Sequence, residues 1–432
     1  MGSIMETPTK GRVNSLFSTL PETPLDEAFA VNGAYKEDCS PQKVNLGMGV
    51  YRTSEGHPWP LPVVTEAEKK LQEADDISRH EYLAIQGDTE FLALAADLAF
   101  GFGDEKGATA SETEQERKRV VSIQTVSGTG ANRLGAELLA RNIRPGCVWI
   151  PDPTWANHYA IWDLAGVPKK SYPYYDASRK SFDFEGTFRT LSEYAQEKDI
   201  VILHACAHNP TGADPSKQQW KMLAQLCEEK GIIPFFDLAY QGFASGDPKK
   251  DSWAIRHYFR ELHQVEFCVA QSFSKNFGLY GQRVGALHVA LSATATVDVP
   301  QKLLASLCHL VRGEYSMAPR GGAEIVKTVL GSEKLRNQWL EDLTTMSQRI
   351  HQMRHALFQE LVKLGTPGDW KHVINQIGMF TYIGLTESQV RVMTEQHHIY
   401  LLKSGRISIS GLNEGNIRYV AMAIDDVVRK VN

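Results

Sequence analysis

The stretch DIVILHACAHNPTGADPSKQQWKMLAQLCEEKGIIPFFD (199–237) decides the fold. It opens with DIVILHA (199–205), a near-continuous apolar run too short for a helix of ordinary length. KQQWKMLAQLCEEKG (217–231) follows with apolar residues at helical spacing and a closing glycine, and IIPFFD (232–237) is a second short apolar run. Short apolar runs separated by helices mark parallel strands, because the crossover helices cover both faces of the sheet and no strand keeps a polar face. Working outward, the same alternation continues. VVSIQTV (120–126), CVWIP (147–151) and EFCVAQS (266–272) read as strands, SGTG (127–130) as a turn, and ANRLGAELLARNI (131–143) as a helix. The fold class is therefore α/β, a mostly parallel sheet covered by helices.

After about residue 319 the texture changes. Residues 320–364 read as one long helical stretch carrying Glu333, Lys334, Arg336, Glu341 and Asp342. MFTYIGL (379–385) and RISISGL (406–412) read as short strands, and NIRYVAMAIDDVVRKV (416–431) as a final helix, which together make an α+β unit. SETEQERKR (111–119) is dense in charge and reads as an exposed loop; the first 45 residues, rich in proline and polar groups, read as an arm. A chain of 432 residues exceeds what one core usually holds, so two packed units are expected. The larger takes residues 60–318, and the smaller combines 1–59 with 319–432.

Composition excludes several classes. Hydrophobic residues make up 42% and charged residues 22%, ordinary values for a globular chain. A net charge of −5 gives no electrostatic reason to expect nucleic acid or an anionic membrane as partner. Cys39, Cys147, Cys206, Cys227, Cys268 and Cys308 are scattered without a C-x-x-C pair, as buried reduced thiols would be, and not as a disulfide framework or a metal site. No apolar run reaches the roughly 18 residues of a membrane span. The N-terminus lacks an apolar leader segment, and Glu6 stands where an N-myristoylation motif wants Ser or Thr. Arg12 and several hydroxyl residues give a faint mitochondrial flavour that Glu6 and Glu22 oppose, so a cytoplasmic protein is expected.

The densest chemistry lies in SFSKNFGLYGQRVG (272–285). Lys275 follows a buried-type strand among small residues, and Arg283 comes eight positions later. A lysine attacks carbonyls when burial or neighbouring positive charge lowers its pKa. Alone, S-x-S-K is more readily an exposed turn. SGTG before a helix can cradle a phosphate with Ser127, Gly128 and Thr129 at the positive helix end, yet the same sequence is a common capping turn. Asp237 ends a strand, where open α/β sheets place ligands; by itself it reads as a turn acid.

SFSKNFGLYGQRVG resembles the lysine segment of the class I aspartate aminotransferases, fold-type I pyridoxal-phosphate enzymes. LGMGVYR (46–52), SGTGANR (127–133), DPTWANH (152–158), HNPTG (208–212), DLAYQGF (237–243) and SGRISISGL (404–412) match further blocks in the family's order. The resemblance runs from about residue 20 to the C-terminus. It implies a large cofactor domain with a smaller domain, and a homodimer that shares its active sites. It also implies pyridoxal phosphate as cofactor, and ping-pong transfer of an amino group from L-aspartate to 2-oxoglutarate, giving oxaloacetate and L-glutamate.

Carried onto this chain, Lys275 is similar to the lysine that holds the cofactor as a Schiff base and later moves a proton between the substrate α-carbon and the cofactor C4′. Asp237 matches the carboxylate paired with the pyridine nitrogen, and His158 the residue behind it. Asn209 and Tyr240 match the partners of the ring oxygen, and Trp155 the aromatic stacked on the ring. Ser127, Gly128, Thr129, Ser272, Ser274 and Arg283 match the phosphate ligands. Tyr82, in HEYLAIQG (80–87), resembles the tyrosine that reaches the neighbouring subunit's phosphate. Arg406 matches the clamp on the α-carboxylate, and Arg312, in LVRGEYSM (310–317), the arginine lent by the partner to a distal carboxylate. Gly49, Trp155 and Asn209 match the substrate side.

Three departures stand beside the substrate. Where the family usually reads Ser-Asn-Pro-Pro, this chain has Ser316-Met317-Ala318-Pro319. Met48 is bulkier than the usual residue, and Phe29 stands in the arm over the pocket. They leave open a same-fold enzyme of a specialised pathway that acts on a modified amino acid by elimination, substitution or decarboxylation. A non-enzymatic binding module is disfavoured, because Lys275, Asp237 and Arg406 are all present.

Overall fold

The computed structural model describes residues 15, 17–22, 26–74, 77–104 and 107–431. Glu6 and Arg12, on which part of the N-terminal reading rests, lie outside these residues. In chain order the strands are β1 (Val44–Asn45), β2 (Val120–Val126), β3 (Val148–Asp152), β4 (Lys169–Pro173), β5 (Tyr175–Asp176), β6 (Ser181–Phe182) and β7 (Ile200–His204). They continue with β8 (Ile233–Leu238), β9 (Phe267–Ser272), β10 (Val284–Ala290), β11 (Phe380–Tyr382), β12 (Ile399–Tyr400) and β13 (Arg406–Ser408). Among the described residues a seven-stranded sheet runs β2-β10-β9-β8-β7-β3-β4. Its pairs are parallel except for β10, which opposes both β9 and β2.

The stretch 199–237 builds the centre of this sheet. Every residue of β7 is buried, as a strand covered on both faces requires. The helix Lys217–Lys230 returns the chain over the sheet. Ser216 and Gln219 close a capping box at its start, and Gly231 caps its end. Its apolar stripe, Trp220, Leu223, Ala224, Leu226 and Cys227, is buried. Trp220 meets Phe236 of β8 with ring centres 5.9 Å apart. Each such side chain taken from water stabilises the fold by about 1.5–3 kcal/mol. The register then sets His204 beside Asp237 at the carboxyl edge of β7 and β8.

The remaining elements pack at one side. β1 pairs in parallel with β12, and β11 pairs antiparallel with β13. The helix Glu333–Leu364 buries Trp339, Leu343, Met346, Ile350 and Leu357 on one stripe. That stripe shares a hydrophobic cluster with Phe273 and Phe277, beside Lys275. No helix of the described residues is long and apolar enough to cross a membrane.

Several expectations change. SETEQERKR is exposed but helical: Ala110–Lys118 forms one turn after another, started by a capping box of Thr109 and Glu112. SGTG is not a turn before the helix but its first turn, since the helix spans Ser127–Asn142. The stretch 320–364 is two helices, Arg320–Leu330 and Glu333–Leu364, broken where Ser332 caps the second. Within the first 45 residues the helix Glu27–Glu37 buries none of its residues, whereas Val44 belongs to the core. All six cysteines are free, four of them buried; Cys308 is half-buried, and Cys39 is exposed because it follows the arm helix.

Candidate active site

Five loops meet at one edge of the sheet. Ser127 follows β2, Trp155 follows β3, Asn209 follows β7, Tyr240 follows β8 and Lys275 follows β9. β10 runs the other way, so its start brings Arg283 to the same edge; Val284 pairs with Val126 and Gly285 with Ser272. The loops enclose a cavity of about 720 Å³ lined by Ser127, Trp155, Asn209, Tyr240, Lys275 and Arg283, among others. That volume suits a cofactor and a small substrate together.

One end of the cavity is built for an anion. The Ser127 hydroxyl lies 2.9 Å from that of Ser274 and 3.4 Å from that of Ser272. The Arg283 guanidinium donates to Ser274 Oγ at 3.3 Å and to the Tyr280 carbonyl at 3.1 Å, with no acidic partner among the described residues. Thr129 lines the same end, at the amino terminus of the helix Ser127–Asn142. A Cβ at Gly128 would stand 2.9 Å from Ser272 Cβ, so only glycine lets the helix start approach β9 this closely. Ser127 and Arg283 have φ of 61° and 52°, strained values for non-glycine residues that cost about 1–3 kcal/mol each and gather at functional sites.

At the centre stand a carboxylate and an amine. Asp237 is buried, and burial alone would raise its pKa. The hydrogen bond from His158, with the neighbouring Lys275, outweighs burial and holds the carboxyl below its ordinary value. Burial pushes the Lys275 amine down; Asp237 opposes this and Arg283 adds to it. The amine lies 5.0 Å from the centre of the Tyr240 ring. Burial raises the Tyr240 phenol, which therefore stays protonated. Trp155 stands edge-on to His158, ring centres 5.3 Å apart.

At the far end Arg406 is 6% exposed. Its guanidinium donates to Asn209 Oδ1 at 3.4 Å and to the Gly47 carbonyl, and lies 4.1 Å from the Phe380 ring centre. Its Nε has no partner. A buried donor left open costs free energy unless a ligand takes it. Burial lowers the Arg406 pKa to about 10, so it remains charged at neutral pH. A Cβ at Gly49 would stand 2.8 Å from Phe380 Cζ, so a larger residue would displace that wall.

The structure thus gathers Gly49, Ser127, Gly128, Thr129, Trp155 and Asn209 around one cavity with Asp237, Tyr240, Ser272, Ser274, Lys275, Arg283 and Arg406. His158 lies behind Asp237, away from the lining. Tyr82, 87% exposed, and Arg312, also exposed and donating to Ser316 Oγ at 3.1 Å, lie outside it. Met48 and Phe29 also line the cavity. Met317 and Ala318 do not line this chain's cavity; the chain turns there into the helix Arg320–Leu330, and Ala318 is buried.

Sequence reading passed over several residues. Thr154 Oγ1 bridges His158 Nδ1 at 2.9 Å and His204 Nε2 at 3.0 Å. Burial and the neighbouring His208 and His158 push His204 well below its ordinary pKa, so it sits neutral. Its place as the last residue of β7, one strand from Asp237, was the available signal. Asp26 and Glu27 also line the mouth, and only the folding of the arm helix brings them there.

Residues 41–424 match the model of the family aminotransferase class I and II. The chain is 53% identical over 412 residues to the L-tyrosine:2-oxoglutarate aminotransferase of Aspergillus ustus, covering 95% of this chain and 78% of that one. It superposes on the aspartate aminotransferase from Saccharomyces cerevisiae cytoplasm with a TM-score of 0.92 at 42% identity, covering 96% of this chain and 99% of that one. It also superposes on the aromatic-amino-acid aminotransferase from Burkholderia pseudomallei covalently bound to pyridoxal phosphate. There the TM-score is 0.88 at 37% identity, over 96% of this chain and 100% of that one. The cavity fits that cofactor: a guanidinium without an acidic partner beside three serine hydroxyls at one end, and a lysine amine and an ionised carboxylate at the centre. The chain belongs to the class I and II aminotransferases and is a pyridoxal-phosphate-dependent enzyme that moves amino groups between amino acids and 2-oxo acids.

Proposed function

We propose that this chain transfers the amino group of L-aspartate to 2-oxoglutarate, giving oxaloacetate and L-glutamate by a ping-pong sequence. One observation carries the reading: Lys275, Asp237 and the buried Arg406 line a single cavity. When bound, pyridoxal phosphate supplies an electron sink for the substrate α-carbon. Lys275 holds the cofactor through its ε-amine, then moves the proton between the substrate α-carbon and the cofactor C4′. Its lowered pKa favours the neutral amine that both tasks need.

Asp237, kept ionised by His158, holds a proton on the ring nitrogen. Asn209, Tyr240 and Trp155, which line the same cavity, would hold the ring. Ser127, Gly128, Thr129, Ser272, Ser274 and Arg283 would hold the phosphate. Arg406 takes the α-carboxylate, whose two oxygens match the planar guanidinium, and Gly49 keeps that end clear.

Tyr82 and Arg312 act in the partner's site of a homodimer. Their exposure and their absence from their own chain's cavity support this assignment. Residues 60–318 form the cofactor domain on this reading, and 1–59 with 319–432 form the smaller one. A cytoplasmic location is supported by the yeast cytoplasmic relative.

A second reading, an aromatic amino donor, is favoured by the cavity mouth. Phe29, Met48, Phe380 and Leu402 give it apolar surface, while Asp26 and Glu27 add negative charge that opposes a distal carboxylate. The A. ustus relative supports this reading by its name. Two experiments decide. Lys275→Ala should bind the cofactor non-covalently yet lose turnover by several orders of magnitude; near-normal turnover would refute the lysine's role. Rates with aspartate, tyrosine and phenylalanine against 2-oxoglutarate then separate the donors. A preference for aspartate of about tenfold supports the first reading, and the reverse supports the second.

A further inference from the structure

The residue after Lys275 is tied to the residue after Tyr240. Asn276, fully buried, donates from Nδ2 to the Gln241 carbonyl at 3.0 Å. Its own carbonyl accepts the indole N–H of Trp339, in the helix Glu333–Leu364, at 2.8 Å. The Trp339 ring stacks on Phe277 with centres 4.8 Å apart and planes 24° apart. Gln241 is itself anchored: its Nε2 donates to the Leu98 carbonyl at 2.7 Å, and its Oε1 accepts from Gln271 Nε2 at 3.1 Å. The Asn276 side chain keeps one orphan, Oδ1, with no partner. A buried amide with an open acceptor is costly where an apolar residue would fit, so its presence points to the one bond it does make.

The lysine side chain is long and flexible, so the place of its amine depends on where its backbone is held. Phe273 and Phe277 pack the loop but cannot fix its height over the sheet, because apolar contact has no direction. The two hydrogen bonds at Asn276 do have direction. One sets the Lys275 backbone against that of Tyr240, and the other sets it against the long helix.

We propose that Asn276 and Trp339 are positioning residues that hold the Lys275 amine at its working distance from Tyr240 and Asp237. The proposal rests on the reading of Lys275 given above. It implies that the helix Glu333–Leu364, through the Trp339 N–H, takes part in the reaction without touching cofactor or substrate.

The test uses the loaded enzyme and the cofactor-free protein, with Trp339→Phe, which keeps a ring on Phe277 and removes the donor, and Asn276→Ala. Phe277→Leu is the packing control, since it removes the stacked ring and leaves the N–H bond. Both test variants should lower kcat by roughly tenfold or more while KM for the amino acid stays within about threefold. They should also move the pH midpoint of the visible absorbance of the Lys275-bound cofactor by about half a unit or more. Amide hydrogen exchange at residues 273–278 should quicken by roughly fivefold or more, with and without cofactor. Phe277→Leu should lower Tm while leaving kcat and the absorbance midpoint in place. Unchanged kcat and midpoint in both test variants would overturn the proposal. So would a Phe277→Leu effect on the midpoint as large as that of Trp339→Phe, because packing alone would then explain both. Failure of the lysine reading looks different: turnover and absorbance would survive in Lys275→Ala, while exchange in the cofactor-free protein still reports on the tether.

Discussion

His158 Nε2 lies 3.1 Å from Asp237 Oδ2, with the two side chains 0% and 8% exposed. Removing the histidine leaves a buried carboxylate without the bond that most lowers its pKa. The sign follows directly. Asp237 is active when ionised, its pKa is depressed in the folded protein, and His158→Ala raises it. The acid limb of the kcat profile should therefore move to higher pH, with rates recovering toward the alkaline side. An unmoved acid limb would mean that His158 only fills space.

Asp237→Asn should leave the fold intact, because Asn can still bond His158. It should nonetheless lose most activity, since a neutral amide no longer holds the proton on the ring nitrogen. Turnover above about a tenth of wild type would remove that role.

Arg312→Ala tests both the distal carboxylate and the shared site. A charge-assisted bond in a closed site is worth about 3–5 kcal/mol, so kcat/KM for aspartate should fall by roughly two to four decades while that for alanine barely changes. Mixed dimers of Arg312→Ala and Lys275→Ala chains should regain one working site, the one that pairs intact Lys275 with the partner's intact arginine. No recovery, with exchange of chains verified, would place Arg312 in its own chain's chemistry.

His288 gives a pH signature in stability. It is buried between Ser122 Oγ at 2.7 Å and Gln271 Oε1 at 2.9 Å, and burial depresses its pKa to about 3. The folded group stays neutral while the unfolded one titrates near its ordinary value. Its contribution is thus present above about pH 6.5 and lost as pH falls toward 3, at about 1.4 kcal/mol per unit. Between pH 7.5 and 5.5 the stability gap between wild type and His288→Gln should narrow by about 1.4 kcal/mol in urea unfolding. A constant gap would contradict the buried neutral state.

What the sequence disclosed follows from how strongly each segment is constrained. β7 and β8 were legible because strands covered on both faces tolerate almost no polar residue, and IVILH has none before its last position. SETEQERKR was misread because an exposed helix with no buried residue carries no apolar stripe; its signal was the capping box of Thr109 and Glu112. The break between the helices Arg320–Leu330 and Glu333–Leu364 turns on Gly331 and Ser332 alone, too little to interrupt the surrounding helical spacing. The loop residues around Lys275 were found through motifs. Thr154, His204, Asp26 and Glu27 were not, because pairing across strands and the folding of the arm bring them to the site. The roles of Tyr82 and Arg312 depend on a second chain, which one sequence read alone can only imply.

The most direct measurement follows the nitrogen. The enzyme, loaded with cofactor, is supplied with ¹⁵N-labelled L-aspartate and 2-oxoglutarate, and the products are read by mass spectrometry. The account predicts ¹⁵N-glutamate and oxaloacetate in equal amounts, with no labelled ammonia. Labelled ammonia, carbon dioxide without labelled glutamate, or label that reaches glutamate from tyrosine but not from aspartate would contradict it.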